Sequence, residues 1–233
     1  MNNNCIYCFN PSDSRDHIPS KALFYNSERK KLITVPSCKK CNQKYSLDEE
    51  FFRNFIVSLA EEKSPEASNL FNTKVKRAIE RRPSLGYGML KNMELVDLFT
   101  KSGLYLGKKT KIKISHDDWQ RYFNVIDKCV RGLIYHEFKE RLPSNYKIKH
   151  FWGREELLEP KIIQTLKWNL DNSEVFMFGY SRLHGTFKSI WFTVFYEEFF
   201  FLSFVIDEIL EKKLCSSTDN QTLSVSIGKV YPV

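Results

Sequence analysis

Cys5-Ile6-Tyr7-Cys8 near the start of the chain and Cys38-Lys39-Lys40-Cys41-Asn42 further along decide how the sequence is read. A CxxC turn points two thiolates at one metal, and two such turns complete a tetrahedral Zn2+ site. One pair alone could equally be a redox dithiol. Two pairs in so short a segment predict structural zinc, bound through Cys5, Cys8, Cys38 and Cys41. A unit this small lacks the area for a stable core of its own, so the metal is expected to supply folding energy directly. The segment between the pairs, Phe9 to Ser37, exceeds the ~15–20 residues of a simple two-knuckle module. It contains Arg15-Asp16-His17-Ile18-Pro19-Ser20, and these residues raise the question of function.

The whole chain has 233 residues, 42% hydrophobic and 27% charged, with 19 phenylalanines. This is enough apolar material for a core and excludes a disordered chain. A formal net charge of +8 favours acidic partners, nucleic acid before anionic membrane. The most apolar run, Ser189 to Ile206, carries Glu197 and Glu198 at its middle. Each would cost roughly 2.5–3.5 kcal/mol inside a membrane, so the run predicts a hairpin turning at the two glutamates. No membrane partner is expected. With no secretory pattern at the start, the chain is read as cytoplasmic, where thiols stay reduced and paired cysteines take metal rather than form disulfides.

Asp16 and His17 supply a carboxylate and an imidazole side by side, and Asn42 follows the fourth cysteine directly. A carboxylate and an amide oxygen are hard ligands suited to Mg2+ or Mn2+. An imidazole near its ordinary pKa of about 6.5 suits a general base at cellular pH. Together they are the parts for metal-assisted phosphodiester hydrolysis. Lys21, Arg29, Lys30 and Lys31 within the insert, and Lys39, Lys40 and Lys44 around the second knuckle, form a basic surface suited to phosphates.

At Cys5-x-x-Cys8, Asp16-His17-Ile-Pro and Val-Pro-Ser-Cys38-x-x-Cys41-Asn42 the sequence resembles the zinc-bearing branch of the HNH, or ββα-metal, endonucleases. The resemblance spans Cys5 to about Phe55. It implies a two-stranded hairpin packed on a helix, with Asp16-His17 on the first strand and Lys31–Val35 as the second. By the same resemblance the cysteines hold zinc away from the chemistry, Asp16 and Asn42 bind the catalytic Mg2+ or Mn2+, and His17 deprotonates the attacking water. Many family members carry a further His or Asn on the following helix. Here no histidine lies between His17 and His116, and Gln43, Asp48 and Glu49 are the candidates for that place, with Asp48 assigned to the site. Glu49 is read instead as partner of Ser46 in a capping box.

The expected fold class is α+β: a zinc-stabilised ββα-metal domain over residues 1–62, then a larger α+β domain over 63–233 with helices and an antiparallel sheet. Within the second part, residues 117–143 predict a long amphipathic helix, residues 95–115 strands around a Gly-containing turn, and residues 174–207 an antiparallel meander. The expected activity is metal-dependent cleavage of DNA, in phage defence or a mobile element by analogy with stand-alone HNH proteins. The second part would position substrate, form a homodimer or receive an activating protein partner. An RNA-cleaving toxin built on the same site and a non-catalytic zinc-dependent nucleic-acid-binding protein are the alternatives.

Overall fold

The computed structural model describes residues 4–25, 32–84, 86, 91, 93–153, 160–172 and 174–217. Its architecture is α+β. Strands β1 (Ser14–Ile18) and β2 (Ile33–Ser37) form an antiparallel hairpin in which Asp16 pairs with Val35 and His17 with Thr34. A 3-10 turn at Lys21–Leu23 follows β1. Helices α1 (Lys39–Lys44) and α2 (Ser46–Ala60) follow β2, then α3 (Pro65–Leu70), a π-helical turn (Phe71–Val75) and α4 (Lys76–Arg81). Ser64 caps α3 by accepting from the Ala67 amide, with Pro65 in its first turn.

A second hairpin, β3 (Met93–Phe99) and β4 (Tyr105–Ile112), stands apart as a two-stranded sheet. Helix α5 (His116–Phe138) begins at Ser115, whose hydroxyl accepts from the Asp118 amide, with Asp117 and Asp118 in the first turn. Strands β5 (Tyr146–Gly153), β6 (Lys167–Asn172), β7 (Phe176–Arg182), β8 (Ser189–Phe195) and β9 (Phe199–Asp207) form one antiparallel sheet in the order β5-β9-β8-β7-β6. Short helix α6 (Pro160–Thr165) precedes β6, and α7 (Glu208–Ser217) follows β9.

The expected meander is present as β7-β8-β9. Its β8–β9 turn spans Tyr196–Glu198, with Tyr196 and Glu197 both at positive φ and the Glu198 amide donating to the Phe195 carbonyl. The register fixes this span: Phe195 opposes Phe199, and Tyr196 turns inward, its hydroxyl donating to the Leu23 carbonyl at 2.6 Å. Lys63 and Glu198 form an ion pair beside this turn. The large sheet is thereby tied to the segment following β1.

Helix α5 is buried on more than one face, because the sheet lies against it on one side and the β1–β2 hairpin and α2 on another. The core runs without a break from Ile6, Ile18 and Val35 through Phe52, Phe55 and Ile126 to Trp191, Phe195 and Phe201. A smaller apolar cluster, Leu166, Phe192 and Val194, covers the opposite sheet face. Among the described residues no helix is long and apolar enough to cross a membrane.

Candidate zinc knuckle and active site

Four thiols meet at the base of the β1–β2 hairpin. The sulfurs of Cys5, Cys8, Cys38 and Cys41 all lie within 4.8 Å of one another, and Cys8 and Cys38 are 3.6 Å apart. A tetrahedral Zn2+ with bonds of about 2.3 Å requires sulfurs about 3.8 Å apart. The cluster fits that ion. Local hydrogen bonding builds both turns. The Cys5 amide donates to the Asn10 carbonyl, and the Ile6 amide to the Pro36 carbonyl on β2. Cys38 is the N-cap of α1, its sulfur accepting from the Cys41 amide at 3.4 Å. Burial raises the Cys5 thiol, but hydrogen bonds from the backbone at Cys38, Tyr7 and Cys8 outweigh it and bring the pKa down to about 7. Burial and the neighbouring sulfurs push Cys41 the other way. A dication at the centre relieves that crowding by favouring the thiolate at every corner.

Both knuckles reach the strand that carries Asp16 and His17. Tyr7, inside the first CxxC, donates its hydroxyl to Asp16 Oδ2 at 2.9 Å. Burial, and then the Asp16 charge, hold the Tyr7 phenol far above its ordinary pKa, so it remains a donor. Asn42 lies in the first turn of α1, its amide N–H bonded to the Cys38 carbonyl. Its side-chain Nδ2 donates to the Arg15 carbonyl at 3.2 Å, one residue before Asp16. That bond commits the nitrogen and leaves Oδ1 as the atom suited to a cation.

Asp16 and His17 are strand neighbours and therefore leave β1 on opposite faces. Asp16 is 3% exposed and points inward, where Lys128 of α5 lies 2.9 Å from Oδ2. Lys128 is also 2.5 Å from Glu49 Oε1, and Ser20 Oγ donates to Glu49 Oε2 at 3.1 Å. Burial pulls the Lys128 ammonium down, but the fields of Glu49 and Asp16 together raise its pKa above the ordinary value. His17 is half-buried. Burial first, and then the Lys21 charge, lower its pKa below 6.5 and keep the ring neutral at physiological pH. No hydrogen bond joins Asp16, His17 and Asn42 to one another among the described residues. What they share is attachment to one strand.

The capping box expected for Ser46 and Glu49 is not formed. Tyr45 is the N-cap of α2 and makes no side-chain cap bond. The helix follows α1 with no extended residue between, so Ser46 is already helical, and Glu49 instead takes Lys128 and Ser20. Asp48 is engaged at both oxygens by α5, with Arg121 Nε at 2.9 Å and Asn124 Nδ2 at 3.0 Å. Of the basic residues, Lys21, Lys39, Lys40 and Lys44 are exposed. Arg29, Lys30 and Lys31 lie outside the described residues.

Sequence reading missed Tyr7, Lys128 and Arg141. Arg141, just beyond α5, stacks its guanidinium over Phe9 and feels the Cys5 and Cys8 thiols. Its buried Nη1 has no hydrogen-bond partner among the described residues. A zinc held by four thiolates is anionic overall, and a guanidinium beside it offsets that charge. Lys128 had a legible signal: it lies three residues after Val125 and four before Gly132, a second inward face of a helix whose first face was already apolar. A lysine there is almost never buried unless paired.

Compared with protein-family models, curated proteins and solved structures, the chain matches none.

Proposed function

We propose that the chain is a metal-dependent endonuclease of the HNH type, cutting phosphodiester bonds in DNA with His17 as general base. One observation carries the reading: each zinc knuckle extends a side chain, Tyr7 from the first and Asn42 from the second, to the short strand bearing Asp16 and His17. A purely structural zinc module has no need to order those residues twice.

The residues present fit a second cation. Asp16 and Glu49 are two carboxylates against the single ammonium of Lys128, so the cluster keeps unbalanced negative charge. Asp16 and the Asn42 amide oxygen are the residues that would hold Mg2+ or Mn2+. When bound, such an ion supplies charge stabilisation on the scissile phosphate and on the leaving oxygen. His17, on the face of β1 opposite Asp16 and kept neutral by burial and Lys21, would take the proton of a water that approaches the phosphate across the strand from the metal. Tyr7 holds the Asp16 carboxylate in one rotamer. The exposed Lys21, Lys39, Lys40 and Lys44 attract the phosphate backbone, and binding weakens steeply with salt.

Nicking of supercoiled plasmid in Mg2+ or Mn2+ by the wild type and His17→Ala tests this. The wild type nicks and the variant does not, and wild-type cleavage falls off on the acid side at a midpoint below pH 6.5. Equal cutting by both proteins would remove His17 from the chemistry. Parallel assays on single-stranded DNA and tRNA identify the substrate, and cleavage confined to tRNA would replace the DNA assignment. The burial of Asp16 against Lys128 favours a second reading, a zinc-dependent nucleic-acid-binding module. It predicts salt-sensitive DNA binding with no cutting in either metal.

A further inference from the structure

We infer that Lys128 is a built-in counter-cation of this site: its ammonium, held between Asp16 and Glu49, competes with a divalent ion for Asp16 and so sets the chain's affinity for that ion. The inference rests on the metal-dependent reading above and goes beyond it by assigning a role to a residue outside residues 1–62. Lys128 enters from the middle of α5, with its side chain 3% exposed. Its neighbours Val125, Cys129 and Gly132 are buried too, so helix α5 shields the ammonium from solvent on its own side. Oδ2 of Asp16 accepts from both Tyr7 and Lys128, and Oε1 of Glu49 faces Lys128 while Oε2 accepts from Ser20. The two carboxylates are thus fixed from outside the pair, and the lysine lies where they converge.

An ion that binds Asp16 must approach against the field of this ammonium. Replacing the lysine by a neutral residue removes the repulsion and leaves two carboxylates in want of a cation. At the separations involved, a unit charge acting on a dication changes its affinity by at least about tenfold even with strong screening. Lys128 acts through Asp16 and Glu49 rather than on substrate, which makes it a positioning residue.

The test is Mn2+ binding to the zinc-loaded full chain, followed by the EPR signal of free Mn2+, with thermal unfolding alongside. Lys128→Gln is expected to bind Mn2+ at least about tenfold more tightly than the wild type. Mn2+ is also expected to raise its melting temperature by more than it raises that of the wild type. Adding Asp16→Asn to Lys128→Gln is expected to abolish the gain, and Lys128→Arg to restore wild-type affinity. A purely structural lysine would lower the melting temperature equally with and without Mn2+. Equal Mn2+ affinity in wild type and Lys128→Gln, or binding that survives Asp16→Asn, overturns the inference. If Lys128→Gln does not fold, Glu49→Gln carries the test, with Mn2+ affinity at least about tenfold weaker than wild type expected and unchanged affinity refuting it. Failure of nicking with the Mn2+ linkage intact would sink the nuclease reading alone. Nicking with an unmoved Mn2+ affinity would sink this inference alone.

Discussion

Gly132→Ala in helix α5 should misplace the strand that carries His17. A Cβ at this position would lie 2.5 Å from Ile18 Cδ1, closer still to Cγ1 and 3.3 Å from Cγ2. Carbon atoms rest at about 3.5–4.0 Å. Ile18 is 2% exposed and β-branched, so it cannot swing away. Overpacking of this kind costs about 1–3 kcal/mol. Alanine gains about 1 kcal/mol over glycine as a helix former. The net loss is therefore about 0–2 kcal/mol, and the sign depends on Ile18. Ile18→Ala deletes Cγ1, Cγ2 and Cδ1, the three atoms the new methyl would strike, at a cost of about 2–5 kcal/mol. In that background Gly132→Ala should become stabilising by about 1 kcal/mol, because only the helix gain is left. Urea unfolding of the four proteins of the cycle, read at constant m, measures the coupling. Additivity within about 0.5 kcal/mol would refute the close packing of α5 on β1. Ile18→Val, which lacks one methyl, should recover part of the effect.

Removal of zinc by a strong chelator should unfold the β1–β2 hairpin, and Arg141→Ala should hasten metal loss without changing the final zinc content; metal release followed with a chromophoric chelator and far-UV circular dichroism checks both. Tyr7→Phe removes a hydrogen bond to a buried carboxylate and should cost about 1.5–3 kcal/mol in urea unfolding while leaving all four cysteines on zinc. Asp127 is raised by burial, but His150 and Arg131 lower it further and hold its carboxyl below the ordinary 3.8. A carboxylate with a depressed folded pKa stabilises above its unfolded pKa and loses that contribution as pH falls through the folded one. The stability gap between wild type and Asp127→Asn should be constant near neutrality and close below about pH 4; unfolding midpoints that keep a fixed gap down to pH 3 would contradict it.

The four-thiol cluster was legible because ligand spacing is a local property: a CxxC turn presents two sulfurs whatever surrounds it, and Cys38 caps its own helix. Helix α5 and the β7-β8-β9 meander were legible for the same reason, since side-chain periodicity is written into consecutive residues, whereas the hairpin bearing Asp16 and His17 was expected from the family resemblance. Glu49 was misread because its local pattern with Ser46 was complete, while its real partner stands on another helix.

The sequence by itself determined the four thiols, the order Asp16-His17 then Asn42, and the α+β class. Tertiary structure alone decided that Tyr7 and Asn42 are tethered to the same strand, that Asp16 faces inward to Lys128 while His17 takes the other face, and that one apolar core joins the hairpin to the large sheet. The physical reason is the range of the forces. Turn geometry and helix caps act over a few residues, whereas the cost of burying an unpaired charge is met by whichever opposite charge folding brings near. For Asp16 that group is Lys128, on a helix far along the chain.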